Sequence, residues 1–112
     1  MARKPSKLTV NYTFLARRTL GEIWIWNAKK YGANHADSYI QFLRFEADKL
    51  ATVRAEGRPV PTRADYRYII IKKSPRGHGH LAIYTTTDTT VEVLGFYHTR
   101  QDWQGKVERG EI

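Results

Sequence analysis

Polar and hydrophobic residues alternate near the start of the chain. In KLTVNYTF, residues 7–14, four apolar side chains are separated by single polar ones. A period of two places alternate side chains on one face of an extended segment, so this pattern predicts a half-buried first strand. The side chains expected on its buried face are Leu8, Val10, Tyr12 and Phe14.

The next segment, LARRTLGEIWIWNAKKYG, changes to the period of a helix. Its run IWIW is compatible with a strand, but most of the apolar residues fall on one face when they are placed at helical spacing. Ile25 is left on the opposite, exposed side, and Gly32 is predicted to end the helix because glycine readily adopts the conformation of many helix C-termini. The apolar face holds Ala16, Leu20, Ile23, Trp24 and Tyr31, with Leu15 and Trp26 at its edge.

A second helix is predicted in HADSYIQFLRFEADKLATVRA, directly after the first. Asn34 is a suitable N-cap and Asp37 a suitable third helical residue, because a carboxylate there interacts favourably with the helix dipole. The two helices would form a tight hairpin. The apolar stripe of the second helix comprises Ala36, Tyr39, Ile40, Leu43, Ala47 and Leu50, while Phe42, Phe45 and Val53 lie on other sides.

Three strands are predicted after the hairpin. The segment EGRPVPTRAD is expected to be a loop, because its glycine and prolines cannot continue a helix. YRYIIIKK is rich in β-branched and aromatic residues and is expected to be covered on both faces near Ile69 to Ile71. LAIYTTT and TVEVLGFYH are the last two strands, with a bulge expected at Gly95. The order β-α-α-β-β-β predicts an α+β fold, in which a helical hairpin packs on a mainly antiparallel sheet.

Length and composition favour one domain over residues 1–112. The chain has 112 residues, of which 41% are hydrophobic, and this suffices for one modest core. We expect the core to span residues 8–103 and the C-terminal residues 104–112 to be loosely tied. The absence of cysteine excludes disulfides and thiolate metal sites. Because no stretch is typical of a signal peptide or a membrane span, we expect a cytoplasmic protein without membrane contact.

The charge of the chain indicates an anionic partner. Lys and Arg number 19 against 11 Asp and Glu, a formal net charge of +8. Such a charge favours nucleic acid or an acidic protein as the partner. Cations are concentrated on predicted loops and strand ends, where guanidinium groups can bind phosphates or carboxylates. These cations are Arg58, Arg63, Arg67, Lys72, Lys73, Arg76 and Arg100.

The histidines permit two kinds of chemistry. His78 and His80 would share one side of an extended segment, but no cysteine and no suitably spaced third ligand accompanies them, so no metal or other cofactor is expected. A metal-independent ribonuclease would need a base, an acid and cations near the phosphate. No spacing in the chain makes such a site specific. Candidates for the base and acid are His98, His80 and Tyr97, and for the cations Arg100, Arg76 and Lys72.

The ordered combination of elements resembles a known family. The β-α-α-β-β-β order, FLARRTLGEIWIW at the first helix, HADSYIQFLRFEADKLA in the second and VEVLGFYHTRQDW at the end are similar to the RelE/ParE superfamily of bacterial type II toxin–antitoxin toxins. The similarity covers residues 8–103. It implies one of two activities. RelE-like toxins cleave messenger RNA on the ribosome, whereas ParE-like toxins inhibit DNA gyrase without being enzymes.

The details of this chain are more similar to the ParE branch. Two long helices, HTRQD after the last strand and a tail without a terminal tyrosine resemble ParE-like toxins. The resemblance implies an inhibitor that binds gyrase, with DNA as a further partner. The expected target-binding residues are His98, Arg100, Trp103, Arg63 and Arg76. An alternative is that His98 and Arg100 hold the C-terminal turn together.

Two other functions remain open at this point. A RelE-like ribosome-dependent mRNA endoribonuclease would be an enzyme and would use Lys72, Arg76, His98 and Arg100. A nucleic-acid-binding module without toxicity is the third function, and it would be recognised by an affinity for free DNA or RNA that falls steeply with salt.

The resemblance also implies an antitoxin partner. A ParD-like antitoxin would wrap a disordered, acidic segment over the toxin and form a hetero-oligomer with it. The expected receptors on this chain are the basic surface, a free sheet edge and the aromatic residues of the hairpin. These aromatic residues are Trp24, Trp26, Tyr31, Phe42 and Phe45.

Overall fold

The computed structural model describes residues 7–76 and 79–112. It confirms the predicted α+β fold, with a helical hairpin on a sheet. In chain order the elements are β1 Thr9–Tyr12, α1 Phe14–Tyr31, α2 Ala33–Asp48, α3 Leu50–Val53, β2 Arg58–Val60, β3 Arg63–Ile71, β4 His80–Thr86, β5 Thr90–His98 and α4 Trp103–Glu108. The predicted second helix is divided into α2 and α3, and α4 is an element that the pattern did not predict. The prediction that EGRPVPTRAD is a loop is wrong in part, because this segment contains β2 and the start of β3.

The five strands form one sheet in the order β1-β5-β4-β3-β2. The first strand runs parallel to β5, and the other three pairings are antiparallel. After β1 the chain forms the hairpin and then β2, β3 and β4 before it reaches β5. Helices α1 and α2 cover one face of the sheet, where their buried residues share a core with those of β4 and β5. The ends of β4 and β5 meet where His80 pairs with His98.

Local chemistry fixes both ends of α1. The Thr13 side chain accepts a hydrogen bond from the backbone N–H of Ala16 at 3.1 Å, so the helix begins directly after β1. Phe14 therefore leaves the strand pattern and is 81% exposed, contrary to the prediction. Gly32, with φ of 92°, ends α1 as predicted. It also precedes α2 directly, so the predicted N-cap Asn34 lies inside that helix and is wrong.

The main core lies between the hairpin and the sheet. It contains the predicted face of α1, represented by Ala16 and Leu20, and the predicted stripe of α2, represented by Leu43 and Ala47. Tyr31 departs from the prediction because it lies at the last residue of α1 and is 59% exposed. The core is completed by Leu8, Leu50, Ile71, Ala82, Tyr84, Val91, Val93 and Phe96.

The third strand is covered less than predicted. Ile71 is buried, but Ile70 is 49% exposed, so the expectation of two covered faces is wrong there. Strand β2 pairs with β3 only as far as Tyr68. One backbone edge of the segment from Ile69 to Ile71 therefore has no strand partner among the described residues.

A second, smaller core covers the opposite face of the sheet. Residues 104–112 are not loosely tied as expected, because α4 packs Trp103 and Val107 onto the sheet and Tyr66 Oη donates to the Ile112 carbonyl at 3.3 Å. The bulge predicted at Gly95 is confirmed, since the β4–β5 register shifts beside it. A Cβ at Gly95 would lie 2.6 Å from the Tyr97 ring. None of the described helices is both long and apolar enough to span a membrane.

Candidate functional site

A cleft of about 800 Å³ opens between the helical hairpin and the ends of β4 and β5. We call it the aromatic cleft. Helix α1 supplies one wall and α2 another, while the segment after β3 and the ends of β4 and β5 supply the rest. Its ring-bearing and cationic lining residues are Trp26, Tyr31, His35, Tyr39, Lys73, Arg76, His80, Phe96, Tyr97, His98, Arg100 and Lys106.

A continuous row of rings crosses this cleft. Successive ring centroids along the row lie between 4.7 and 6.5 Å apart. Such rings can stack on planar groups, whether aromatic side chains or nucleobases. The row runs through Trp26, Tyr31, His35, Tyr39, His80 and His98.

Tyr39 and His80 join the hairpin to the sheet at the centre of this row. The Tyr39 Oη and His80 Nδ1 atoms are 2.5 Å apart. Burial and the neighbouring His98 lower the pKa of His80 to about 4, and burial raises the pKa of Tyr39. At neutral pH, therefore, His80 is uncharged and Tyr39 is protonated. The tyrosine then donates to Nδ1, and the remaining imidazole proton is placed on Nε2.

His98 and Arg100 take part in the turn that follows β5. The Arg100 backbone N–H donates to His98 Nδ1 at 3.1 Å, and the His98 N–H donates to Gln101 Oε1 at 2.7 Å. His98 therefore holds the turn together through these two hydrogen bonds, as the alternative prediction stated. The Arg100 side chain stays exposed and lines the cleft, so it is available to a partner.

Cations from three segments surround the rings. Lys73 places its Nζ 5.6 Å from the Tyr39 ring centroid and 5.4 Å from that of Phe42. Arg76 and Arg100 are exposed, and Lys106 reaches the same cleft from α4. A planar or anionic group entering the cleft would therefore meet rings on one side and positive charge on the other.

The predicted target-binding residues divide into two groups. Arg76, His98 and Arg100 come together in the aromatic cleft. Arg63 lies at the distant end of β3, where it pairs with Asp65 at 3.1 Å. Trp103 is only 7% exposed and packs against Tyr68 on the opposite face of the sheet, so its expected exposure is wrong. The Trp103 indole packs in the second core instead.

The aromatic residues predicted to bind an antitoxin do not form one surface. Trp26 and Tyr31 line the cleft, whereas Trp24 points to the other side of α1 and donates through Nε1 to Asp37 at 2.8 Å. Phe42 is half-buried beneath Lys73. Phe45 is 63% exposed and lies under Lys49.

Other predicted site residues lie elsewhere or outside the description. Lys72 is exposed but does not line the cleft. Within residues 7–76 and 79–112, no three His, Asp or Glu side chains are grouped so as to hold a metal ion, and His78 lies outside the described residues. The sequence pattern did not identify Tyr39 and His35 as cleft residues. The position of a residue on a helix does not show which distant segment its side chain will contact.

A comparison with models of protein families identifies the family of this chain. The model described as the ParE toxin of the type II toxin–antitoxin system parDE matches residues 10–103. The chain belongs to the ParE toxin family. The match begins in β1 and ends at the first residue of α4, so it includes the hairpin and the segments around the aromatic cleft.

Solved structures agree with this membership at the level of the fold. One similar chain, from a chromosomal ParDE system of P. aeruginosa, has a TM-score of 0.70 and 16% identity, with coverage of 84% of this chain and 98% of that one. A free-state mutant of the E. coli toxin RelE has a TM-score of 0.58 and 17% identity, with coverage of 92% and 97%. A search of curated protein sequences found no significant match to this ParE-family chain.

Proposed function

We propose that this ParE-family toxin inhibits DNA gyrase and that the cations of the aromatic cleft make the contact with its target. The observation that carries the proposal is the convergence of Arg76 and Arg100 beside the row of rings. Both side chains are exposed, and the chain carries a net charge of +8. Gyrase that holds cleaved DNA presents both carboxylates and phosphates, which are the ligands of guanidinium groups.

In this mechanism the toxin is an inhibitor and not an enzyme. The rings give a rigid apolar wall, and the cations steer the toxin toward an anionic surface. Of the four residues of the endoribonuclease alternative, Arg76, His98 and Arg100 line the cleft and Lys72 does not. His80, with its pKa lowered to about 4, is also a weak base at neutral pH.

The direct test adds the purified toxin to DNA gyrase with relaxed plasmid and ATP. We expect loss of supercoiling and accumulation of cleaved plasmid as the toxin concentration rises. Unchanged supercoiling at every toxin concentration would refute the proposal. Binding to free plasmid without any effect on gyrase would indicate a non-toxic nucleic-acid-binding module, and this binding would weaken steeply with salt.

A specific observation supports ribosome-dependent mRNA cleavage as the second candidate. Tyr39, His80 and His98 line the same cleft as Arg76 and Arg100, and proton-transfer groups together with cations are the components that RNA cleavage needs. The experiment is primer extension on mRNA from a translating extract with toxin added. Cuts that depend on the ribosome, together with unaffected gyrase, would replace the first proposal with this one.

The proposal includes neutralisation by a cognate, ParD-like antitoxin in the cytoplasm. The backbone edge from Ile69 to Ile71, which has no strand partner in the described part of the chain, can accept an added strand, and the exposed Ile70 can pack against it. Hydrogen exchange on the toxin with and without antitoxin tests this step. We expect amide protection at Ile69 to Ile71 in the complex, and unchanged exchange there would exclude strand addition at this edge.

A further inference from the structure

A second concave surface lies between α1 and α2 on the side of the hairpin away from the aromatic cleft. This interhelical groove has a volume of about 410 Å³ and is lined by residues of β1, α1 and α2. Arg17, Gly21 and Trp24 follow one another along α1 at helical spacing. Ile40 and Arg44 face them from α2. The groove thus combines an apolar lining with two guanidinium groups.

Gly21 is the residue that the fold does not explain. It lies in the interior of the 18-residue helix α1, where glycine is less favourable than alanine by about 1 kcal/mol. A Cβ built at Gly21 would meet no atom within 4 Å, and φ there is not positive. Neither close packing nor backbone conformation within this chain requires the glycine. What it does provide is an open space between Arg17 and Trp24.

The charges around the groove favour an acidic occupant. Two acids lie nearby, since Asp37 accepts a hydrogen bond from Trp24 and Asp48 accepts one from Tyr12, but neither carboxylate lines the groove. Arg44 lies over the Tyr12 ring, with its guanidinium carbon 5.1 Å from the ring centroid. The Arg17 guanidinium has no ion-pair partner in the described part of the chain. A carboxylate entering the groove would therefore meet two guanidinium groups and no acid in the lining.

The groove is separate from the proposed target contact. At the helical spacing of α1, the residues that line the groove and those that line the cleft face different sides of the helix, with mean directions roughly 130° apart. A partner in the groove would leave Trp26 and Arg100 uncovered at that point. The groove is therefore suited to a partner that binds the toxin at more than one site.

We propose that the interhelical groove docks an acidic segment of the antitoxin, with a carboxylate between Arg17 and Arg44 and a large apolar side chain over Gly21. This inference rests on the proposed neutralisation by an antitoxin and adds a site and a chemistry to it. The occupant is a short acidic stretch carrying one bulky apolar residue. Its carboxylate pairs with the guanidinium groups that line the groove, and its apolar residue fills the space that the glycine leaves open.

The test measures the affinity of the purified cognate antitoxin for three variants of the full-length toxin by isothermal titration calorimetry. Arg17→Glu reverses one groove charge, and Gly21→Met fills the open space. Arg18→Glu is the matched control, because it makes the same charge change at the next residue, which does not line the groove. We expect Arg17→Glu and Gly21→Met each to weaken antitoxin binding at least about tenfold, and Arg18→Glu to change it less than about threefold.

Gyrase inhibition by the same variants separates the two proposals. Gly21→Met replaces a helix-interior glycine by a better helix former, so loss of binding cannot be ascribed to unfolding if the variant still inhibits gyrase. Equal antitoxin affinity of all three variants and the wild type would overturn the groove proposal, as would loss of gyrase inhibition without loss of antitoxin binding. If the antitoxin does not bind the wild-type toxin, the proposed neutralisation itself fails.

Discussion

The aromatic cleft and the interhelical groove lie on different sides of α1 and differ in how far their central residues stabilise the fold. In the cleft, His80 contacts both Tyr39 and His98, and its hydrogen bond with Tyr39 joins the hairpin to the sheet. In the groove, Arg17 has no ion-pair partner within the described chain, and Gly21 has no packing role.

This difference separates stability from binding in the two regions. Substitutions at the centre of the cleft should destabilise the fold, because half-buried polar groups there depend on each other. Substitutions at Arg17 and Gly21 should leave stability unchanged or raise it, because Arg17 has no ion-pair partner among the described residues and Gly21 meets no packing neighbour. The exposed cations of the cleft, such as Arg100, should resemble these two groove residues in this respect.

The largest expected effect is on function, at Arg100. Because its side chain is exposed in the cleft, Arg100→Glu should weaken gyrase inhibition by roughly ten- to a hundredfold while the melting temperature stays the same. Supercoiling assays over a toxin titration measure the effect. Arg58→Glu is the matched control, since Arg58 is exposed on β2 and does not line the cleft. Full inhibition by Arg100→Glu would remove this residue from the target contact.

The next effect is on stability, at Tyr39. Tyr39→Phe keeps the ring but removes the donor to His80 Nδ1, so a half-buried acceptor loses its partner. We expect the free energy of unfolding to fall by about 1–3 kcal/mol, as measured by urea denaturation. Tyr31→Phe is the control because Tyr31 is 59% exposed and should cost less than about 0.5 kcal/mol. Equal stability of both variants would show that the Tyr39–His80 bond does not hold the hairpin to the sheet.

His80 in the cleft should also make the stability of the protein depend on pH. The pKa of His80 is lowered from 6.5 to about 4 in the folded protein, so the unfolded chain binds more protons between these values. The stabilising contribution is complete above pH 6.5 and is lost as the pH falls toward 4. Urea denaturation across this range should show falling stability, with a smaller slope for His80→Gln. The same slope in both proteins would contradict the assignment to His80.

The smallest effect is expected in the groove, and its sign is opposite. Gly21→Ala adds a methyl group in open space within α1, so the free energy of unfolding should rise by about 0.5–1 kcal/mol. Thermal denaturation measures this gain. Gly95→Ala makes the same substitution where the added carbon would lie 2.6 Å from the Tyr97 ring, and it should destabilise the protein. A loss of stability in Gly21→Ala would mean that the fold does need this glycine.

Periodicity predicted the elements that have a continuous hydrophobic pattern. The hairpin, its end at Gly32 and the later strands follow from spacing, because these elements bury one regular face. The prediction failed at β2 and α4, whose turns and polar residues gave no such pattern. It also failed at Trp103, because an indole after a strand carries no information on which face of the sheet it will cover.

For the candidate site, the sequence identified the kinds of residue but only part of their arrangement. Arg76, His98 and Arg100 were predicted together and do line one cleft, since the end of β3 and the end of β5 lie at the same end of the sheet, on either side of β4. Tyr39 was predicted only as part of an apolar stripe. Its contact with His80 joins residues that are 41 positions apart, and no local pattern encodes a contact of that separation.

The sequence by itself determined the α+β class, the hairpin, the basic character and the resemblance to the family, because periodicity, charge and local motifs are properties of neighbouring residues. Tertiary structure alone decided which rings form the row across the cleft and that Trp103 is buried in the second core. The physical reason is that packing α1 and α2 against the sheet fixes which residues from distant segments share a surface.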